Sequence, residues 1–213
     1  MGYDQEFSGK IILDIETAPL VDAEQYLEEP TPPANYKNPD TIAAWVTQAK
    51  AEALQKCGLD VDLCRIVAIG LVAKGDIGVI YRCETGEAEE AAALTQFWSY
   101  FKAYQFVGYN INGFDLPVLL RRSLYLGVKA PSIQIDKYRH PQIIDLMLTL
   151  SNNGALKFRG LEFYAKRMNL PLPVGSGSDV AGWVQAGQWA EVEAHLRGDL
   201  ATTAALASRL GVW

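Results

Sequence analysis

Lys10-Ile-Ile-Leu-Asp14-Ile-Glu16-Thr-Ala-Pro19 is the stretch on which the fold turns. Residues 10–15 are mostly apolar and β-branched, the pattern of a buried strand, and Pro19 is expected to stop it. Alternate side chains of a strand leave opposite faces. Asp14 and Glu16 therefore share one face, and Leu13 and Ile15 pack on the other. Two adjacent carboxylates on an otherwise apolar strand repel each other and need a proton, an arginine or a metal ion. The alternative is a solvent-facing end of an edge strand, where they need nothing.

Outward from this strand, residues 19–40 are rich in Pro and Glu and predict a surface excursion. Asp40 is placed to cap a helix over residues 41–56, closed by Gly58, so the whole excursion covers about 19–62. Residues 65–72 and 77–81 predict two strands joined through Lys74-Gly75-Asp76 as a hairpin. A helix follows over 87–102, with Leu94, Phe97, Trp98 and Phe101 as its buried stripe. A short strand at 106–109, a helix over 116–126 and a last strand at 142–145 come next. Helices over 161–168 and 191–210 complete the chain, separated by the Gly/Ser-rich segment 171–179. A hairpin followed by alternating strands and helices implies a single α/β domain over 1–213, one mixed five-stranded sheet flanked by helices.

Of the 213 residues 49% are hydrophobic, enough for a sizeable core, and 19 Lys+Arg against 25 Asp+Glu leave a net charge of −6. That balance excludes a basic polyelectrolyte clamp. It does not exclude a protein that holds nucleic acid through a bound cation. No apolar run reaches the about 20 residues of a membrane span. The start, Met1-Gly-Tyr-Asp-Gln-Glu6, matches neither a secretory leader nor a myristoylation signal. Cys57, Cys64 and Cys83 are odd in number and only His140 and His195 are histidines, so a zinc finger or a disulfide framework is not expected. These features predict a cytoplasmic protein of a reducing compartment, without membrane contact.

Two further acids merit attention. Asp115 follows the strand 106–109 and the turn Asn110–Gly113; it is either a site residue or the N-cap of the next helix. Asp199 lies four residues after His195, so the two share a helical face. Gly198 weakens that helix by roughly 1 kcal/mol relative to Ala, which suggests a close approach at that point. Three or four carboxylates converging at one sheet edge suit Mg²⁺ or Mn²⁺, and a pair of such ions suits phosphoryl displacement by water.

Asp14-Ile-Glu16-Thr17, then Gly108-Tyr-Asn110-Ile-Asn-Gly-Phe114-Asp115-Leu-Pro117, then His195-x-x-x-Asp199 resemble the three motifs of DnaQ-like (DEDD) 3′→5′ exonucleases. Within that superfamily the likeness is nearest to stand-alone relatives of the family-B DNA polymerase proofreading domain, and it spans about residues 10–210. Ile144-Asp145-Leu146 and Gly177-Ser-Asp-Val180 resemble spacer segments of that group. The resemblance implies an RNase H-like fold and a two-metal 3′→5′ exonuclease, with Asp14, Glu16, Asp115 and Asp199 binding two Mg²⁺ or Mn²⁺ ions. The product would be nucleoside monophosphates. Thr17, Asn110 and Phe114 match substrate-binding positions. His195 stands where the subgroup with this spacing carries Tyr; an imidazole is suited to orient or deprotonate the attacking water.

DNA with single-stranded or frayed 3′ ends is the expected substrate, and a replication or repair protein a possible partner. The alternatives are an exoribonuclease of the same fold and a non-catalytic nucleic-acid or replisome-binding module. Asp145 reads as a cap for a following helix. Arg121-Arg122 and Lys157-Phe-Arg159 are small basic spots able to touch phosphates or simply to end helices in solvent. Tyr36, Trp45, Trp183 and Trp189 either stack bases or belong to the core.

Overall fold

A computed structural model describes residues 7–76, 78–133 and 141–213. Met1–Glu6, Ile77 and His140 lie outside these residues, and with them the expectations for the chain start and for the first residue of the third strand. Five strands form one sheet: β1 (Gly9–Pro19), β2 (Cys64–Ala73), β3 (Val79–Arg82), β4 (Tyr104–Gly108) and β5 (Ile143–Asp145). Their order is β3-β2-β1-β4-β5, antiparallel from β3 to β1 and parallel from β1 to β5. This is the mixed sheet expected, in an RNase H-like α/β fold.

The helices are α1 (Pro39–Cys57), α2 (Glu87–Phe101), α3 (Asp115–Tyr125), α4 (Leu146–Leu150), α5 (Leu161–Met168), α6 (Val180–Gln185) and α7 (Trp189–Arg209). The alternation along β1 sorts the two cores. Ile11, Leu13 and Ile15 pack with Phe97, Phe101 and Leu119 of α2 and α3. Ile12 and Ala18 pack with Leu196, Leu200 and Leu206 of α7. Asp14 and Glu16 share the α7 side. Phe97, Trp98, Phe101 and Phe106 interlock edge-on and stacked at centroid distances of 4.6–6.1 Å, which gives the first core its aromatic centre.

Three local expectations are corrected. β1 does not end at Ile15: it runs on and ends at Pro19, the residue expected to stop it, paired with β2 through a register shift at Glu16/Thr17. The proline is tolerated because β4 pairs only with residues Gly9–Ile12 of β1, so beyond Ile12 that edge needs no N–H donor. The cap of α1 is Asn38 rather than Asp40; its side chain accepts from the Asp40 and Thr41 N–H groups, with Pro39 at the first helical position. Arg122 is not a solvated phosphate spot. It is buried and donates from Nε and Nη2 to the two oxygens of buried Glu90 at 2.7 and 2.8 Å. α1 stands outside both cores, with only Cys57 buried, as an excursion should. Among the described residues no helix is long and apolar enough to cross a membrane.

Candidate active site

Divergence of β1 from β4 creates the site. Their pairing ends at Ile12↔Val107, so the next residues of β1 have a free edge. Asp115 enters there as the first residue of α3, buried to 4% exposure, and the freed N–H of Ile15 eases the charge of its carboxylate. The cap position is Phe114, which makes no side-chain cap. Asp115 is therefore not a spent capping residue, and it faces the strand that carries Asp14 and Glu16.

The opposite wall is α7. His195 is 3% exposed and its Nδ1 lies 2.8 Å from the carbonyl oxygen of Val174. A carbonyl can only accept, so Nδ1 carries a proton, and the other ring nitrogen, Nε2, faces the acids. That Nε2 is 3.3 Å from Asp199 Oδ2 and 3.9 Å from Glu16 Oε1. Trp183 of α6 meets the imidazole edge-on at 5.8 Å. The segment holding Val174 is pinned to α7 as anticipated from Gly198: a Cβ at Gly198 would lie 2.6 Å from Pro173 Cα. Thr202 Oγ1 lies 2.8 Å from the Pro171 carbonyl on the same segment.

Glu16, His195 and Asp199 each bring one ligand atom to within 4.8 Å of the others, a group able to hold a metal ion. Asp14 and Asp115 surround it at electrostatic range. Burial, then the charges of Asp115, Glu16 and Asp199, pushes the Asp14 carboxyl well above its ordinary value. Burial, then Asp199 and Asp115, does the same to Glu16. Burial raises Asp115 to about 7, opposed by its own N–H and that of Ile15. Asp199 is raised by burial and eased by His195. Among the described residues the ion pairs of these four acids are with His195 alone. The donor set is hard oxygen plus one imidazole and carries excess negative charge, which fits a divalent cation.

Asp14, Glu16, His195 and Asp199 line a cleft of about 370 Å³ together with Glu162, Leu172, Pro173 and Gly175–Gly177, and Asp115 lies behind this wall. A larger groove of about 940 Å³ runs between α6 and the excursion, lined by Val21, Leu54, Arg65 and Trp183. It contains none of the four acids, so the chemistry belongs to the smaller cleft.

Residues 59–211 match the profile of a family described as "Predicted 3'-5' exonuclease related to the exonuclease domain of PolB". The chain belongs to that family. A comparison with curated proteins finds no match. Among solved structures the chain is similar to the family B DNA polymerase from the hyperthermophilic archaeon Pyrobaculum calidifontis, with 17% identity and a TM-score of 0.62 over 94% of this chain. The match spans 24% of the polymerase chain and shows a shared fold.

In this PolB-exonuclease relative the three residues expected to touch substrate have structural partners. The Thr17 hydroxyl donates to the Gly58 carbonyl at 2.6 Å, tying β1 to the end of α1. Asn110 takes a left-handed conformation (φ 59°), and its carbonyl accepts the N–H groups of Gly113 and Phe114. Phe114 packs against the α2–α3 core. Asn110 and Phe114 shape the turn that delivers Asp115. Asp145 does more than the expected capping of α4. Its Oδ1 accepts from Met147, Leu148 and Asn110 N–H groups and its Oδ2 from Asn112, so it clamps the same turn. The sequence gives no sign of this role, because backbone donors carry no residue signature. Val174 and Trp183, which fix His195, escape sequence reading for the same reason: one acts through its carbonyl, the other through a ring face.

Proposed function

We propose that the protein removes nucleoside monophosphates from single-stranded or frayed 3′ ends of DNA, using two Mg²⁺ or Mn²⁺ ions. The observation that carries this is four buried or half-buried acids from β1, α3 and α7 whose ion pairs, among the described residues, are with His195 alone. Asp14, Glu16, Asp115 and Asp199 hold the ions. When bound, the ions supply positive charge for the phosphodiester oxygens and acidify a water molecule.

The chain's own residues do the rest. His195, its Nδ1–H held by the Val174 carbonyl, presents Nε2 inside the acid cluster. It orients the attacking water and takes its proton; the resulting imidazolium is stabilised by Asp199 and Glu16. Leu172 and Pro173 give the cleft an aliphatic rim on one side. Ile15 N–H eases the charge of the Asp115 carboxylate, and Asp145 holds the turn behind it. Thr17, Asn110 and Phe114 serve substrate binding by fixing the cleft walls.

The test is digestion of a 5′-labelled DNA oligonucleotide, in parallel with its RNA counterpart, with Mg²⁺, Mn²⁺ or chelator. A metal-dependent ladder shortening from the 3′ end is expected, faster on DNA, and lost in Asp14→Ala and Asp115→Ala. Faster RNA degradation replaces the DNA assignment by the exoribonuclease; no ladder under any condition rejects catalysis. His195→Ala lowers turnover by about two orders of magnitude if the imidazole handles the water proton, and near-full turnover sinks that role.

A further inference from the structure

Residues 151–176, which lead from α4 to the cleft, carry Lys157, Arg159, Lys166 and Arg167 against Glu162 alone. This is a net +3 in a chain of net −6, so the rest of the chain carries −9. Lys166 is paired with Glu162, whereas Lys157, Arg159 and Arg167 make no ion pair among the described residues. The same stretch turns large apolar side chains to solvent: Leu156 is 61% exposed, Phe158 49% and Phe163 40%.

The patch is an organised strip. The Arg159 guanidinium sits 4.7 Å above the Phe163 ring, and Phe163 meets Tyr164 edge-on at 5.3 Å. Tyr164 lies 6.5 Å from Tyr109, whose hydroxyl donates back to the Arg159 carbonyl. Tyr109 directly precedes Asn110 of the turn that delivers Asp115, and Glu162 and Leu172 belong to the cleft wall. The strip therefore runs into the cleft.

We propose that Lys157, Phe158, Arg159, Phe163 and Arg167 form a platform for single-stranded nucleic acid, holding the strand upstream of the 3′ end in the cleft. The inference rests on the exonuclease function proposed above. Aromatic faces flanked by cations bind single strands without sequence preference, the rings stacking bases and the cations tracking phosphates. Charge complementarity selects this occupant: the stretch carries net +3 in a chain of net −6 and leads to the acid cleft, which suits a polyanion. The acidic remainder of the surface repels a polyanion, which leaves this strip to set the direction of approach.

Two substrates separate the platform from the chemistry: a 5′-fluorescein-labelled oligothymidylate of about twenty nucleotides, long enough to cross the strip, and the p-nitrophenyl ester of thymidine 5′-monophosphate, which reaches only the cleft. In the Lys157→Ala/Phe158→Ala/Arg159→Ala variant, with its thermal midpoint checked, the ratio of kcat/KM for oligonucleotide over ester falls about tenfold or more. Phe158→Tyr keeps the ratio. The dependence of log KM for the oligonucleotide on log salt flattens by about 0.7 per cation removed. An unchanged ratio with both substrates still cleaved overturns the platform and leaves the exonuclease standing. If the wild type cleaves neither substrate, the exonuclease assignment fails, and fluorescence anisotropy of the oligonucleotide in chelator decides the platform. Binding lost in the triple variant supports it. Equal or absent binding, as for a face that docks a protein, overturns it.

Discussion

Opposite faces of one sheet carry buried carboxylates in two contrasting states. On the α2–α3 side, Glu90 is closed off within the molecule: Arg122 Nε and Nη2 and the Ile66 N–H satisfy its two oxygens. On the α7 side, Asp14, Glu16, Asp115 and Asp199 crowd together, and among the described residues their ion pairs are with His195 alone. A fold able to build the first arrangement had the means to neutralise the second. Among the described residues the four acids have no arginine or lysine partner, as the proposed binding of a cation and a phosphate from outside requires.

The sharpest way to break this contrast is to exchange its expected phenotypes. Asp14→Ala is predicted to lower oligonucleotide cleavage by about a thousandfold or more, measured as single-turnover rate, because charge stabilisation at the phosphate is lost. Its fold persists, since the substitution relieves repulsion. Glu90→Ala should do the reverse: a loss of about 3–5 kcal/mol in urea unfolding, from the orphaned Arg122 charge, with cleavage retained by the protein still folded. A Glu90→Ala variant that is stable yet inactive would show the two regions to be alike. Gly198→Ala sits between them in effect. Its new Cβ meets Pro173 backbone, so about 1–3 kcal/mol of stability is lost. Cleavage also drops, because the same segment supplies the Val174 carbonyl that orients His195.

Much of the acid side was legible in the chain. Alternation along Ile12–Glu16 put the two carboxylates opposite Leu13 and Ile15, and the four-residue spacing put His195 and Asp199 on one helical face. Gly198 announced a close approach, and Pro173 makes it. The Glu90 side was opaque: Arg122 looked like a helix end in solvent, because no local pattern tells that α2 and α3 pack with these two side chains face to face. The continuation of β1 to Pro19 was equally hidden. A proline there is forbidden or harmless depending on whether β4 pairs beside it, and that is a tertiary fact. The clamping role of Asp145 depends on Asn110 and Asn112 N–H groups brought from another strand end.

Stability itself reports the crowding. Asp115 binds its proton up to about 7 in the folded protein, whereas an unfolded aspartate releases it near 4. Between these values the folded state holds the extra proton, so its stabilising contribution is full below about pH 4 and is lost as pH rises through about 7. Asp14 and Glu16, shifted in the same direction, add to the trend.

The most direct measurement is thermal unfolding of the wild type and of Asp14→Asn/Asp115→Asn at pH 7.5 and at pH 5.5, in chelator and with Mn²⁺. The predicted result is a metal-free wild type less stable at pH 7.5 than the double variant, a gap that narrows at pH 5.5, and a midpoint raised by Mn²⁺ at pH 7.5 only while the acids are present. A wild type more stable than the double variant in chelator, with no response to Mn²⁺, would contradict a site held open for cations.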